Sequence, residues 1–157
     1  HTGSVAIAGR STTAAASPVW TGVLGVAAAS ARAPVIAWPG AGTGQVRAPL
    51  LRAHPLADDG VIVGAAFGRR LIHASAEFER PLIRATLGRL SAAVFVDAAR
   101  AWRRQKAPTA STLFVDIGAG LRVHAPGLGG GVRIDVAHGL SDRRRAVSLG
   151  WATVWPH

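Results

Sequence analysis

Between residues 111 and 155 apolar side chains occupy every second position, and the positions between them carry glycine, alanine and charge. Leu113, Val115, Ile117, Ala119, Leu121 and Val123 alternate with Thr112, Phe114, Asp116, Gly118, Gly120 and Arg122. Strand side chains point to opposite faces in turn, so this run predicts a two-faced strand whose polar face is interrupted only by Phe114. Val132, Ile134 and Val136 against Arg133, Asp135, Ala137 and Gly139 predict a second such strand. Val147, Leu149, Trp151 and Trp155 against Ser148, Gly150 and Ala152 predict a third. Upstream, Ile72, Ala74, Ala76 and Phe78 oppose His73, Ser75, Glu77 and Glu79, and Pro81 is expected to end that strand. Leu90, Ala92, Val94, Val96 and Ala98 then oppose Arg89, Ser91, Phe95 and Asp97. Alternation of this kind fits a soluble sandwich with its apolar face inward or a membrane barrel with its apolar face outward.

The first part of the chain is less patterned. Residues 1–18 are small and polar and read as a poorly defined segment, with weak strand character near Val5. Thr21, Val23 and Val26 favour a strand over an alanine-rich helix from Trp20 onward. A short strand is expected at Val35, closed by Pro39 and Gly40. Residues 40–60 read as one long loop, and loops of that length in compact domains are commonly functional. The count is about seven antiparallel strands in an all-β meander, with two open edges. An eighth strand over residues 3–9 would permit a small closed barrel.

Composition narrows the chemistry. The 157 residues carry 18 Lys+Arg against 8 Asp+Glu, a formal charge of +10, with Lys106 the single lysine. Arg103, Arg104 and Lys106 fall in one expected loop and Arg143, Arg144 and Arg145 in another, without the interleaved aromatics on which nucleic-acid bases stack, so nucleic acid is not an expected partner. The absence of cysteine removes disulfides and thiolate metal sites. No run approaches the roughly 18 apolar residues of a membrane helix. Tyrosine is absent, leaving Trp20, Trp38, Trp102, Trp151 and Trp155, all expected near strand ends, to form any aromatic girdle. The glycines from Gly40 to Gly44 mimic a phosphate loop but lack the helix whose N-terminus would hold the phosphate. Six scattered histidines and the lack of a G-x-S-x-G elbow point to no metal, cofactor or catalytic residue. The chain starts at His1 without the basic region, apolar core and cleavage site of an export leader, so a barrel reading expects it to be part of a longer product.

Phe95-Val96-Asp97-Ala98-Ala99 resembles the F-x-D-x-G strand motif of the BamA/TamA-like outer-membrane assembly and translocation superfamily, also called the bacterial surface antigen family. Leu51-Arg52-Ala53-His54-Pro55 resembles that family's V/I-R-G-F/Y loop motif, with Ala53 and His54 where the family has glycine and an aromatic, and Ala99 where its strand motif has glycine. Gly118-Ala119-Gly120-Leu121-Arg122, Pro126-Gly127 and the strand from Val132 to Ala137 are similar to its closing strands. The likeness spans about residues 45–155. It implies that residues 19–155 are the C-terminal half of a sixteen-stranded barrel whose long loop, residues 40–60, folds into the lumen. It also implies that Arg52 locks that loop to Asp97 beside Phe95. Glu77 and Glu79, on the same expected face, would be further acceptors. A glycine replaced at Ala53 would seat the loop less tightly.

The resulting expectation is a non-enzymatic barrel segment in the outer membrane of a diderm bacterium, in a protein that assembles, inserts or translocates other proteins. Its partners would be outer-membrane lipids and lipopolysaccharide, client outer-membrane proteins and the upstream remainder of the barrel. The alternatives are a soluble secreted β-sandwich binding domain and a passive outer-membrane pore.

Overall fold

A computed structural model of the chain describes residues 1–11, 17–43, 51–58, 61–62, 66–102, 112–125 and 130–153. Among the described residues nine strands follow in order: β1 (Thr2–Arg10), β2 (Val19–Ala29), β3 (Ala57–Asp58), β4 (Val61–Ile62), β5 (Arg70–Ala85), β6 (Gly88–Trp102), β7 (Phe114–His124), β8 (Gly130–Gly139) and β9 (Arg145–Thr153). Seven of them form one antiparallel sheet in the order β1-β2-β5-β6-β7-β8-β9. Each of the seven pairs with the next sheet strand along the chain, while β3 and β4 make a separate two-stranded ribbon inside the long connection from β2 to β5. The sheet is not closed, and β1 and β9 are its edges. Among the described residues no helix is long and apolar enough to cross a membrane.

Two sequence expectations are corrected at the N-terminal end. Residues 2–10, read as poorly defined, form edge strand β1, paired with β2 from Thr2 opposite Ala29 to Arg10 opposite Thr21. The strand expected at Val35 is instead a single 3-10 turn, Val35–Ala37. Pro34 and Pro39 flank it, and neither can donate to a ladder, while the partner that β2 would offer is taken by β5. The total of seven sheet strands is thus reached with a different member.

Pro81 does not end β5. The strand continues to Ala85 through an irregularity between Pro81 and Ile83, where a residue without an N–H is tolerated because the ladder is already broken. Trp38 lies away from any strand end: it stacks on Phe67 at 5.9 Å and its indole N–H donates to the Ala33 carbonyl at 3.1 Å. Trp155, Pro126, Gly127, Arg103, Arg104 and Lys106 lie outside the described residues.

The sheet's polarity is inverted. On one face Val5, Ile7, Leu24, Val26, Ile72, Val94, Val96, Ile117, Leu121, Ile134, Val136, Val147 and Leu149 are all exposed. The opposite face holds Asp97, Asp116, Arg122 and Asp135, each no more than 1% exposed. It is covered by the β2–β5 connection, which lies across it and buries Leu51, Arg52, Ala53, His54 and Leu56. Leu51 packs with Ala41, Ala66, Leu71, Ala99, Ala101 and Phe114, and Ala53 packs with Phe95 and Ala137. Thr43 N–H donates to the His54 carbonyl and Leu56 N–H to the Thr43 carbonyl, so the loop carries its own short ladder onto the sheet.

Candidate functional site

The covered face is organised by register. Ser75, Asp97, Asp116 and Gly139 lie side by side across β5, β6, β7 and β8. Glu77, Phe95, Gly118 and Ala137 form the adjacent row. The second row is a floor. Its two small members make it shallow, and a Cβ on Gly118 would strike the Phe95 ring and the Val136 carbonyl. Phe95 therefore lies over Gly118, and the Arg52 guanidinium stacks on Phe95 at 3.7 Å from the ring centre.

From that seat Arg52 reaches three carboxylates. Its Nη1 is 2.6 Å from Glu77 Oε2 and 3.5 Å from Asp135 Oδ2, and its Nε is 3.1 Å from Asp97 Oδ2. Asp97 also accepts from the Ser75 hydroxyl at 2.7 Å. Arg122 enters from β7 and binds Glu77 with two nitrogens, at 2.9 and 3.1 Å, and Asp135 with the third. Arg133 stands 3.7 Å from Asp135. Three guanidiniums thus meet three carboxylates where water is nearly excluded. A buried ion is tolerated only with such pairing, and a planar fork of donors suits several acceptors at once.

The next two loop residues complete the contact. The Ala53 N–H donates to Asp116 Oδ2 at 2.6 Å. His54 Nδ1 lies 2.7 Å from Asp116 Oδ1, its Nε2 lies 3.1 Å from Asp142 Oδ2, and its ring meets Phe114 edge-on at 4.8 Å. Burial acts to lower the His54 pKa, but the hydrogen bonding and charge of Asp116, joined by Asp142, prevail and hold it above its ordinary value. All six carboxylates whose side chains are described, Glu77, Glu79, Asp97, Asp116, Asp135 and Asp142, stand in ion pairs.

The structure brings Arg52, Asp97, Phe95 and Glu77 together. Glu79 does not join them. Two residues farther along β5, it pairs with Arg89 at 3.1 Å and faces His124 at 3.4 Å. Ala53 is not loosely seated, since its methyl is buried against Phe95 and Ala137 and its N–H is bonded. Sequence reasoning did not single out Arg122 and Asp135. The signal available was the even spacing of Asp97, Asp116 and Asp135, nineteen residues apart, with Arg122 on the same face. Among the described residues no group of three or more acidic or histidine side chains is placed to hold a metal.

Comparison with known proteins found no matching family model, no matching curated protein and no matching solved structure.

Proposed function

We propose that this chain is wall and plug of an outer-membrane β-barrel that assembles, inserts or translocates other proteins, in the manner of the BamA/TamA-like superfamily. The observation that carries the proposal is the inverted polarity. A face of exposed Val, Ile and Leu spans the sheet, while an ion-paired face lies under a loop. In water an apolar face of that extent has to be covered, and in a bilayer it is the face that lipid solvates. The open edges β1 and β9 require further strands, because unpaired backbone is not tolerated in hydrocarbon. Assembly activity is favoured over a passive pore because the loop arginine and the strand aspartate of the two resembling motifs, Arg52 and Asp97, are in contact. A loop that fills the interior leaves an edge or seam, where client strands add by β-pairing, as the working surface.

The test is reconstitution into vesicles whose acyl chains carry bromine, which quenches tryptophan on contact. Trp20 and Trp151, both exposed on the apolar face, are expected to be quenched. A chain that remains monomeric and soluble without detergent, with no quenching, would overturn the barrel reading. If the barrel stands but deletion of the parent protein leaves outer-membrane protein assembly intact while abolishing a conductance, the passive pore replaces assembly.

A further inference from the structure

We propose that His54 is a proton-operated latch, tying the inward loop to the turn between β8 and β9 while its ring is an imidazolium and releasing that turn when the ring is neutral. Both ring nitrogens face carboxylates, Nδ1 that of Asp116 and Nε2 that of Asp142. An imidazolium has a proton for each. A neutral imidazole has one proton and one lone pair, and the lone pair would confront a carboxylate. The pair of contacts is therefore specific to one protonation state.

The surroundings decide which contact yields. Asp116 on β7 is fully buried and fixed by the Ala53 N–H, so the remaining proton of a neutral ring stays on Nδ1. Asp142 is 32% exposed and has another partner, Arg144, whose backbone N–H and Nε lie 3.2 and 3.1 Å away. The contact with Asp142 is the one that breaks. On the loop beside it, the Arg52 guanidinium is engaged with Glu77, Asp97 and Asp135. Phe114 on β7 and Gly139 at the end of β8 also adjoin the ring and carry no charge. At Gly139 even a Cβ would come within 2.8 Å of His54 Cε1, so the site admits the imidazole because that position is bare. The turn that is released, residues 140–144, contains Arg143 in a left-handed conformation at φ 59°; it is closed by the Gly139 N–H to Arg144 carbonyl bond and held to β7 and the residue before it by the Leu140 N–H to Val115 carbonyl and Ser141 hydroxyl to Leu113 carbonyl bonds.

The sign follows from the ring's raised pKa. The latch is closed below the ordinary histidine value of about 6.5 and is lost as pH rises through the folded-state value. It stands on the loop contact alone and does not depend on whether the apolar face meets lipid.

The chain lacks cysteine, so spin labels can be placed at Leu140→Cys in the turn and Ile36→Cys in the loop, both exposed positions. Distances between them are measured by pulsed electron resonance from about pH 5.5 to 9, with His54→Gln separating the ring's titration from that of any carboxylate. One narrow distribution is expected at low pH and a broad one at high pH, with no pH response in His54→Gln. The His54 ring, assigned in the NMR spectrum by its loss in that variant, is expected to titrate at lower pH in Asp142→Asn, a mild change at a partly exposed site. A pH-independent distribution in the His54 chain, the same transition in His54→Gln, or an unmoved midpoint in Asp142→Asn would each overturn the latch.

Discussion

Asp97 and Asp116 are direct neighbours across β6 and β7, an arrangement that like charges disfavour. Three consecutive loop residues resolve it: Arg52 takes Asp97, and the Ala53 N–H and His54 take Asp116. Removing one partner from such a network leaves buried charge unbalanced, so Arg52→Ala is expected to cost about 3–5 kcal/mol. Arg145→Ala, at an exposed position, should stay within about 0.5 kcal/mol. Urea unfolding followed by tryptophan fluorescence makes the comparison, and equal losses would rule out a lock. Arg52→Lys should recover only part of the difference, because an ammonium is a point charge that neither forks among three acceptors nor lies flat on Phe95. At this scale Arg52, Asp97, Phe95 and Glu77 were legible because alternation assigns each strand residue a face and the loop motif marks the arginine. The partnership of Arg122 with Asp135 was not. It depends on the β7–β8 register, which the alternation of either strand leaves open.

The strands differ in how plainly their sequences declare them. β5 to β8 contrast large apolar residues with charge, and β9 contrasts them with serine and glycine, so their faces were readable from period two alone. β1 offers Ala6, Ala8 and Gly9, which contrast with nothing, and it is a strand because β2 presents nine residues to pair with. The Pro81 irregularity was unreadable for a related reason, since proline marks both strand ends and bulges. β7 shows the opposite economy: Gly118 is small so that Phe95 can lie across it. Gly118→Ala is expected to destabilise by about 1–3 kcal/mol by displacing that ring and the Val136 carbonyl. In a Phe95→Ala background the penalty should shrink, because the ring it strikes is gone. A double-mutant cycle with no coupling would show that the ring is not what the glycine accommodates.

At the scale of the whole molecule, sheet and loop differ in how far apart in the chain their contacts lie. Apart from β2 with β5, neighbouring sheet strands follow one another directly, whereas Arg52 and His54 reach residues 83 and 88 positions away. A meander can grow hairpin by hairpin, but the loop has no complete seat until β5 to β8 stand together. The lock is therefore a late event in folding. Interactions formed after the transition state govern how fast a protein comes apart and leave the rate at which it forms nearly unchanged. Arg52→Ala should then raise the unfolding rate on the order of 1,000-fold with little effect on refolding, readable from the two arms of a denaturant chevron. In that sense the buried arginine acts as a timer, setting how long the finished wall persists once it has formed.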